Sequence, residues 1–199
     1  MKNIKIKQEI LESHKIILIF GVPCSGKSIL TYNTFIKGKS CEIHKDIMKY
    51  TETSEHILLG TYNIETNRKG LDTIERKQVG NLASQIKNLI KTDKTVILEG
   101  MRCISRPMMS QLNPYDIVML WIDCNLDECV SRANLDREIK GHKQLKLIQA
   151  SFTMCSNFTN EFLSKCPIFI IDTSECHSRE DFENKTLFDF EWTRKVTLW

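Results

Sequence analysis

The eight residues Gly21-Val22-Pro23-Cys24-Ser25-Gly26-Lys27-Ser28 constrain this chain more than any other stretch. They fit the spacing G-x-x-x-x-G-K-[ST] in full. Context matters more than the string. The apolar run Lys15–Phe20 (KIILIF) ends at Gly21 and reads as a buried strand. A helix is expected from Lys27 to about Lys37. A glycine-punctuated turn between strand and helix lets successive backbone N–H groups converge on one point. The helix N-terminus adds partial positive charge there. Such a cradle suits phosphate oxygens, with Lys27 reaching the β- and γ-phosphates and Ser28 a magnesium ion. Two competing readings are a chance Lys-Ser after a turn, and nucleotide binding without chemistry.

The rest of the chain alternates strand and helix signals. Thr95–Glu99 (TVILE), Asp116–Asp123 (DIVMLWID) and Pro167–Asp172 (PIFIID) read as buried strands. His56–Tyr62 and Cys41–Ile47 are weaker candidates, and Asn63–Gly70 reads as a loop. Apolar residues at Ile74, Val79, Leu82, Ile86, Leu89 and Ile90 predict a helix over 73–90. Asp72 and Glu75 have capping-box spacing at its start. Pro107 suits the first turn of a further helix. Asn125 with Glu128 starts another, running to about Ile139, and Leu145–Ser164 reads as one more. In the tail a short helix is expected near Arg179–Phe188. The alternation predicts an α/β fold with a parallel sheet covered on both faces.

Several charged residues stand where such a sheet would present them. Glu99 ends a strand and is followed by Gly100 and Arg102. Ligands of doubly wound sheets bind beyond the carboxyl ends of the strands. An acid there can serve a magnesium shell, and Arg102 can hold a phosphate or stabilise transferred charge. A surface Glu–Arg pair is the plain alternative. Arg132 and Arg137 follow the third strand and suit negative charge spread over phosphoryl oxygens, against a reading as solvated helix charge. Lys140, Lys143 and Lys146 read as a solvated face. Asp72 is open between a helix cap and a general base that takes the proton of an attacking hydroxyl. His44 and His56 are lesser candidates for a place near the site.

Length and composition set the outer limits. A chain of 199 residues fits one domain, 1–199. A net charge of +3 does not mark a nucleic-acid binder and does not exclude one. No apolar run approaches the ~20 residues of a membrane span, and MKNIKIKQEILESHK has no signal-peptide core. A cytoplasmic protein is expected. The eight cysteines include no C-x-x-C and are expected to be reduced packing residues. Cys124 with Cys129 also admits a zinc reading, and Cys24 a redox one.

With these residues in view, the chain resembles the P-loop nucleoside and nucleotide kinase superfamily. The resemblance rests on the loop, on TVILEG (95–100) and on LWIDCNLDECVSRANLDRE (120–138), and spans roughly Lys15–Asp172. It implies a three-layer fold with a central parallel sheet of about five strands and a helical lid at about 132–146. It also implies an ATP- and magnesium-dependent phosphotransferase with an alcohol acceptor.

A narrower likeness comes from Leu58-Leu-Gly-Thr-Tyr62, Gly70-Leu-Asp-Thr-Ile74 and Leu98-Glu-Gly-Met-Arg102, in that order. These resemble small phage-associated kinases, including those that act on 5-hydroxymethyluracil in DNA. Lys143–Phe162 resembles that group's helix after the lid. This likeness implies roles for Tyr62, Asp72, Glu99 and Arg102 in binding or catalysis. Leu71 stands where the group has threonine, Ile74 and Glu75 replace Leu-Ser, and Met101 replaces a common acid. The expected acceptor is therefore a hydroxymethyl-pyrimidine in DNA, with a free nucleoside, nucleotide or other metabolite as the alternative. A nucleotide-binding switch without transfer activity is the third possibility.

Overall fold

A strand covered on both faces needs an apolar side chain at every position, and a few segments of this chain meet that demand. In the computed structural model, which describes residues 2–62, 68–71, 74, 79, 81–136 and 142–195, they form the centre of one sheet. In chain order, α1 (Lys2–Glu12) leads into β1 (Ile16–Phe20) and α2 (Lys27–Phe35). Five short strands follow: β2 (Glu42–His44), β3 (Tyr50–Glu52), β4 (His56–Leu59), β5 (Thr61–Tyr62) and β6 (Arg68–Lys69). Then come α3 (Leu82–Leu89), β7 (Thr95–Glu99), α4 (Arg106–Met109), β8 (Ile117–Asp123), α5 (Leu126–Asp136) and α6 (His142–Phe162). The last strands are β9 (Ile168–Asp172) and β10 (Trp192–Arg194).

The sheet has eight strands in the order β10-β9-β8-β1-β7-β4-β3-β2. Its middle, β4-β7-β1-β8-β9, is parallel throughout. β10, β3 and β2 join antiparallel at the two edges. The sheet is thus mixed and wider than the roughly five strands expected. The additions are short and carry polar residues, so they lack the apolar run that marks a central strand. β5 and β6 form a separate two-stranded ribbon.

Alternation along the strands divides the core. Ile16, Leu18 and Phe20 face one side, with Val96, Leu98, Met119 and Trp121, against α3, α4 and α6. Ile17 and Ile19 face the other, with Ile97, Val118 and Leu120, against α1, α2 and the segment after β9. All five β1 side chains are fully buried. Each such side chain contributes about 1.5–3 kcal/mol of hydrophobic stabilisation, so β1 is held firmly where the loop leaves it.

Several boundaries differ from expectation. α3 begins at Leu82 with Asn81 in the N-cap position, so this helix is shorter than the one predicted over 73–90, and the Asp72 cap reading lies outside the described residues. Its apolar periodicity extends upstream because Leu71, Ile74 and Val79 are buried in the same core without belonging to the helix. The tail holds two single turns, Glu180–Phe182 and Leu187–Asp189, in place of one helix. α1, β3 and β10 carry weak periodicity and were not anticipated, and β6 falls within the stretch 63–70 that reads as a loop. Among the described residues no helix is long and apolar enough to cross a membrane.

Candidate active site

The loop leaves β1 pressed against β8. A Cβ on Gly21 would lie 2.2 Å from the Ile122 carbonyl oxygen, so only glycine fits. Cys24 and Gly26 then adopt φ of 66° and 87°, the left-handed region that turns the chain back into α2. α2 starts at Lys27, and the Gly26 carbonyl accepts from Ile29 and Leu30 N–H at 3.1 and 3.0 Å. Residues 21–28 therefore occupy the strand–turn–helix context that the string requires.

β7 lies beside β1 in parallel, with Ile19 paired to Glu99. That register sets the Glu99 carboxylate next to the first turn of α2. Ser28 Oγ donates to Glu99 Oε1 at 2.9 Å, and the Tyr62 hydroxyl donates to Oε2 at 3.2 Å. Glu99 is buried at 1% exposure. Gly70 closes over it. A Cβ there would lie 2.4 Å from both the Glu99 carbonyl oxygen and Oε2. The Ser28 hydroxyl and the Glu99 carboxylate are hard oxygen donors. They fit magnesium, which takes few protein ligands and keeps much of its water.

Arg102 and Lys27 line a cavity of about 950 Å³ between the loop, residues 101–107 and α6. The Arg102 Nη1 donates to the Ile74 carbonyl. Arg106 joins the lining and pairs with Glu161 at 2.6 Å. Apolar walls come from Met101, Ile104, Leu147, Met154 and Phe158. No Asp or Glu is among the described residues that line it. At its margin the Cys155 thiol is pushed up to about 12, by burial above all, with Lys27 pulling down and Asp123 pushing up. Burial likewise raises the Asp123 carboxyl, and Asp172 on the neighbouring strand adds to it.

The structure brings Lys27, Ser28, Tyr62, Glu99 and Arg102 together. Arg132 lies behind the loop rather than over it. Its guanidinium is 4% exposed and donates to Cys24 O (3.1 Å), Thr173 O (2.6 Å) and Glu128 Oε1 (3.2 Å). It is not the solvated helix charge that sequence also allowed. Asp72, Arg137 and Lys140 lie outside the described residues; Lys146 is exposed.

His56 pairs with Thr95, at the opposite end of β7 from Glu99, and His44 sits on the edge strand β2 against Tyr50. Neither is near the loop. All eight cysteines are thiols, and only Cys24 and Cys41 are more than slightly exposed. Cys124 and Cys129 pack together beside the loop with Val22 and Ala133. Among the described residues no group of three or more His, Cys, Asp or Glu is placed to hold a metal ion, so the zinc reading gains no support.

Sequence reasoning did not single out Gly70, Arg106, Thr173 or Phe182. The glycine of Gly70-Leu-Asp was visible as a motif member, but its close approach to Glu99 depends on the fold. No protein-family model and no curated protein matches the chain.

Proposed function

We propose that this chain is an ATP- and magnesium-dependent kinase of the three-layer P-loop type, transferring the γ-phosphoryl group to a hydroxyl acceptor. The observation that carries this reading is the 2.9 Å hydrogen bond between Ser28, in the first turn of α2 beside Lys27, and the buried Glu99 at the end of β7. A helix-start hydroxyl paired to a strand-end acid is what a nucleotide–magnesium site needs. Ser28 and Glu99 would hold the magnesium, which supplies neutralisation of phosphate charge.

Residues 21–28 bind the triphosphate through backbone N–H groups, and Lys27 stabilises charge on the transferred group. Arg102, in the lining of the cavity, holds a phosphate of the acceptor or offsets charge during transfer. Tyr62 orients the Glu99 carboxylate. Asp72, close in sequence to Gly70, accepts or orients the proton of the attacking hydroxyl. Arg137 contributes charge to the transferred group, and Arg132 acts from behind the loop. Positioning and electrostatics supply nearly all of such catalysis.

The proposed acceptor is a hydroxymethyl-pyrimidine in DNA. The Lys27, Arg102 and Arg106 side chains in the lining suit a phosphate-bearing acceptor. The cavity's volume also lies within the range of small-molecule sites, which favours a free nucleotide or similar metabolite as the second reading. The deciding experiment follows label from γ-labelled ATP into a panel of hydroxymethylated DNA, nucleosides, nucleotides and sugars. Label in DNA alone supports the first reading, and label in a small molecule alone supports the second. ATP binding with slow hydrolysis that no acceptor accelerates makes the chain a switch. Failure to bind ATP refutes all three.

A further inference from the structure

A trans peptide points its C=O and the following N–H in opposite directions. Loop N–H groups can converge on an anion only while their carbonyls are held away from it. At the two ends of the turn the carbonyls are held locally: Val22 O by Ser25 N–H at 3.3 Å, and Gly26 O by the first turn of α2. Between them, the carbonyls of Cys24 and Ser25 are held from far along the chain. Cys24 O accepts from Arg132 Nη1, and Ser25 O accepts from Thr173 Oγ1 at 3.0 Å.

Thr173 follows β9 and is fully buried. Its backbone N–H donates to Asp123 O at 3.0 Å. Its hydroxyl is also 3.0 Å from that carbonyl. A hydroxyl has one proton, and Asp123 O is already served by the backbone donor, so Ser25 O is the partner that needs it. Arg132 Nη2 donates to the Thr173 carbonyl, which joins the two long-range contacts into one unit. The Phe182 ring lies 5.1 Å from the Arg132 guanidinium and fills the space beside Gly26.

We propose that Thr173 is a positioning residue for the triphosphate: its hydroxyl, braced by Arg132, holds the Ser25 carbonyl outward and so turns the Gly26 N–H toward the bound anion. This rests on the kinase reading only in that the loop must bind phosphate. It gives Arg132 a place in the site through the loop's back rather than through direct contact with the transferred group.

The test is the affinity of the full chain for magnesium-ATP, by calorimetry, with thermal melting of each variant alongside. Thr173→Val keeps the side-chain volume and loses the hydroxyl. Thr173→Ser keeps the hydroxyl and loses a methyl group. The proposal expects Thr173→Val to bind about five- to tenfold more weakly, the effect of one lost hydrogen bond. Thr173→Ser should stay within about twofold of the unmodified chain.

A purely packing role predicts the reverse order, and that order overturns the proposal. Equal binding by the unmodified chain and Thr173→Val overturns it while leaving the kinase reading intact. An unmodified chain that binds no magnesium-ATP overturns both. Should Thr173→Val fail to fold, Arg132→Lys takes its place. A single ammonium cannot span Cys24 O and Thr173 O as a forked guanidinium does. Weakened binding in that variant supports the proposal, and unchanged binding overturns it.

Discussion

Gly26 combines a φ of 87° with a neighbour too close for any side chain, so Gly26→Ala probes two effects at once. Placing a Cβ in the left-handed region is unfavourable by about 1–2 kcal/mol. The new methyl would lie 2.4 Å from Cε1 and 2.5 Å from Cζ of Phe182, which must shift. Such overpacking is unfavourable by about 1–3 kcal/mol. Together they predict a loss of about 2–5 kcal/mol, against a total stability of about 5–15 kcal/mol. The variant should fold with a melting temperature lower by roughly 2–4 °C for each kcal/mol lost.

The two parts separate in a cycle with Phe182→Leu, which removes the ring that is struck. Urea unfolding of all four proteins should show the double variant about 1–3 kcal/mol more stable than the sum of the single losses. The backbone strain remains, and magnesium-ATP affinity should not recover. Additivity to within about 0.5 kcal/mol would refute the claim that Phe182 closes the space beside the loop.

Lys27→Ala should abolish turnover in the transfer assay while leaving the melting temperature little changed. Asp72→Asn should lower kcat far more than ATP affinity, and unchanged turnover would remove Asp72 from the chemistry. Burial holds His56 down to about 4 from 6.5, with Lys39 adding to the effect and Glu55 opposing it. The folded chain therefore binds fewer protons than the unfolded chain between those values, and stability falls as pH drops through that window, by up to roughly 3 kcal/mol. His56→Leu should flatten that slope in urea titrations, and an undiminished slope would assign it to other groups.

The central strands were legible because strands buried on both faces cannot avoid a continuous apolar run; KIILIF, TVILE, DIVMLWID and PIFIID all carry one. The short antiparallel strands β3 and β10 were hidden for the converse reason. Tyr50–Glu52 and Trp192–Arg194 need apolar contact on one side at most, so three residues of mixed character suffice. Burial of Ile74 and Val79 outside a helix imitated helical periodicity and lengthened α3 on paper. In the site, Gly21–Ser28 and Glu99 were legible because their chemistry is local to a short string. Thr173, Phe182 and the partners of Arg132 depend on contacts that join distant parts of the chain, and no spacing rule reports those.

The placement of β1 has a consequence for how the molecule is made. Its two neighbours in the sheet, β7 and β8, both come later in the chain, and the groups behind its loop come later still. At about 5–20 residues per second on the ribosome, Phe182 emerges some ~8–30 s after Gly26. Early in that interval the nascent polypeptide carries a strand with neither partner, and until its end a turn without Phe182 at its back. An anion in the surrounding fluid can lend no help until Thr173 and Phe182 have been made, because ligand stabilises only a conformation that already exists. Early in its life this chain depends on its own apolar segments staying shielded.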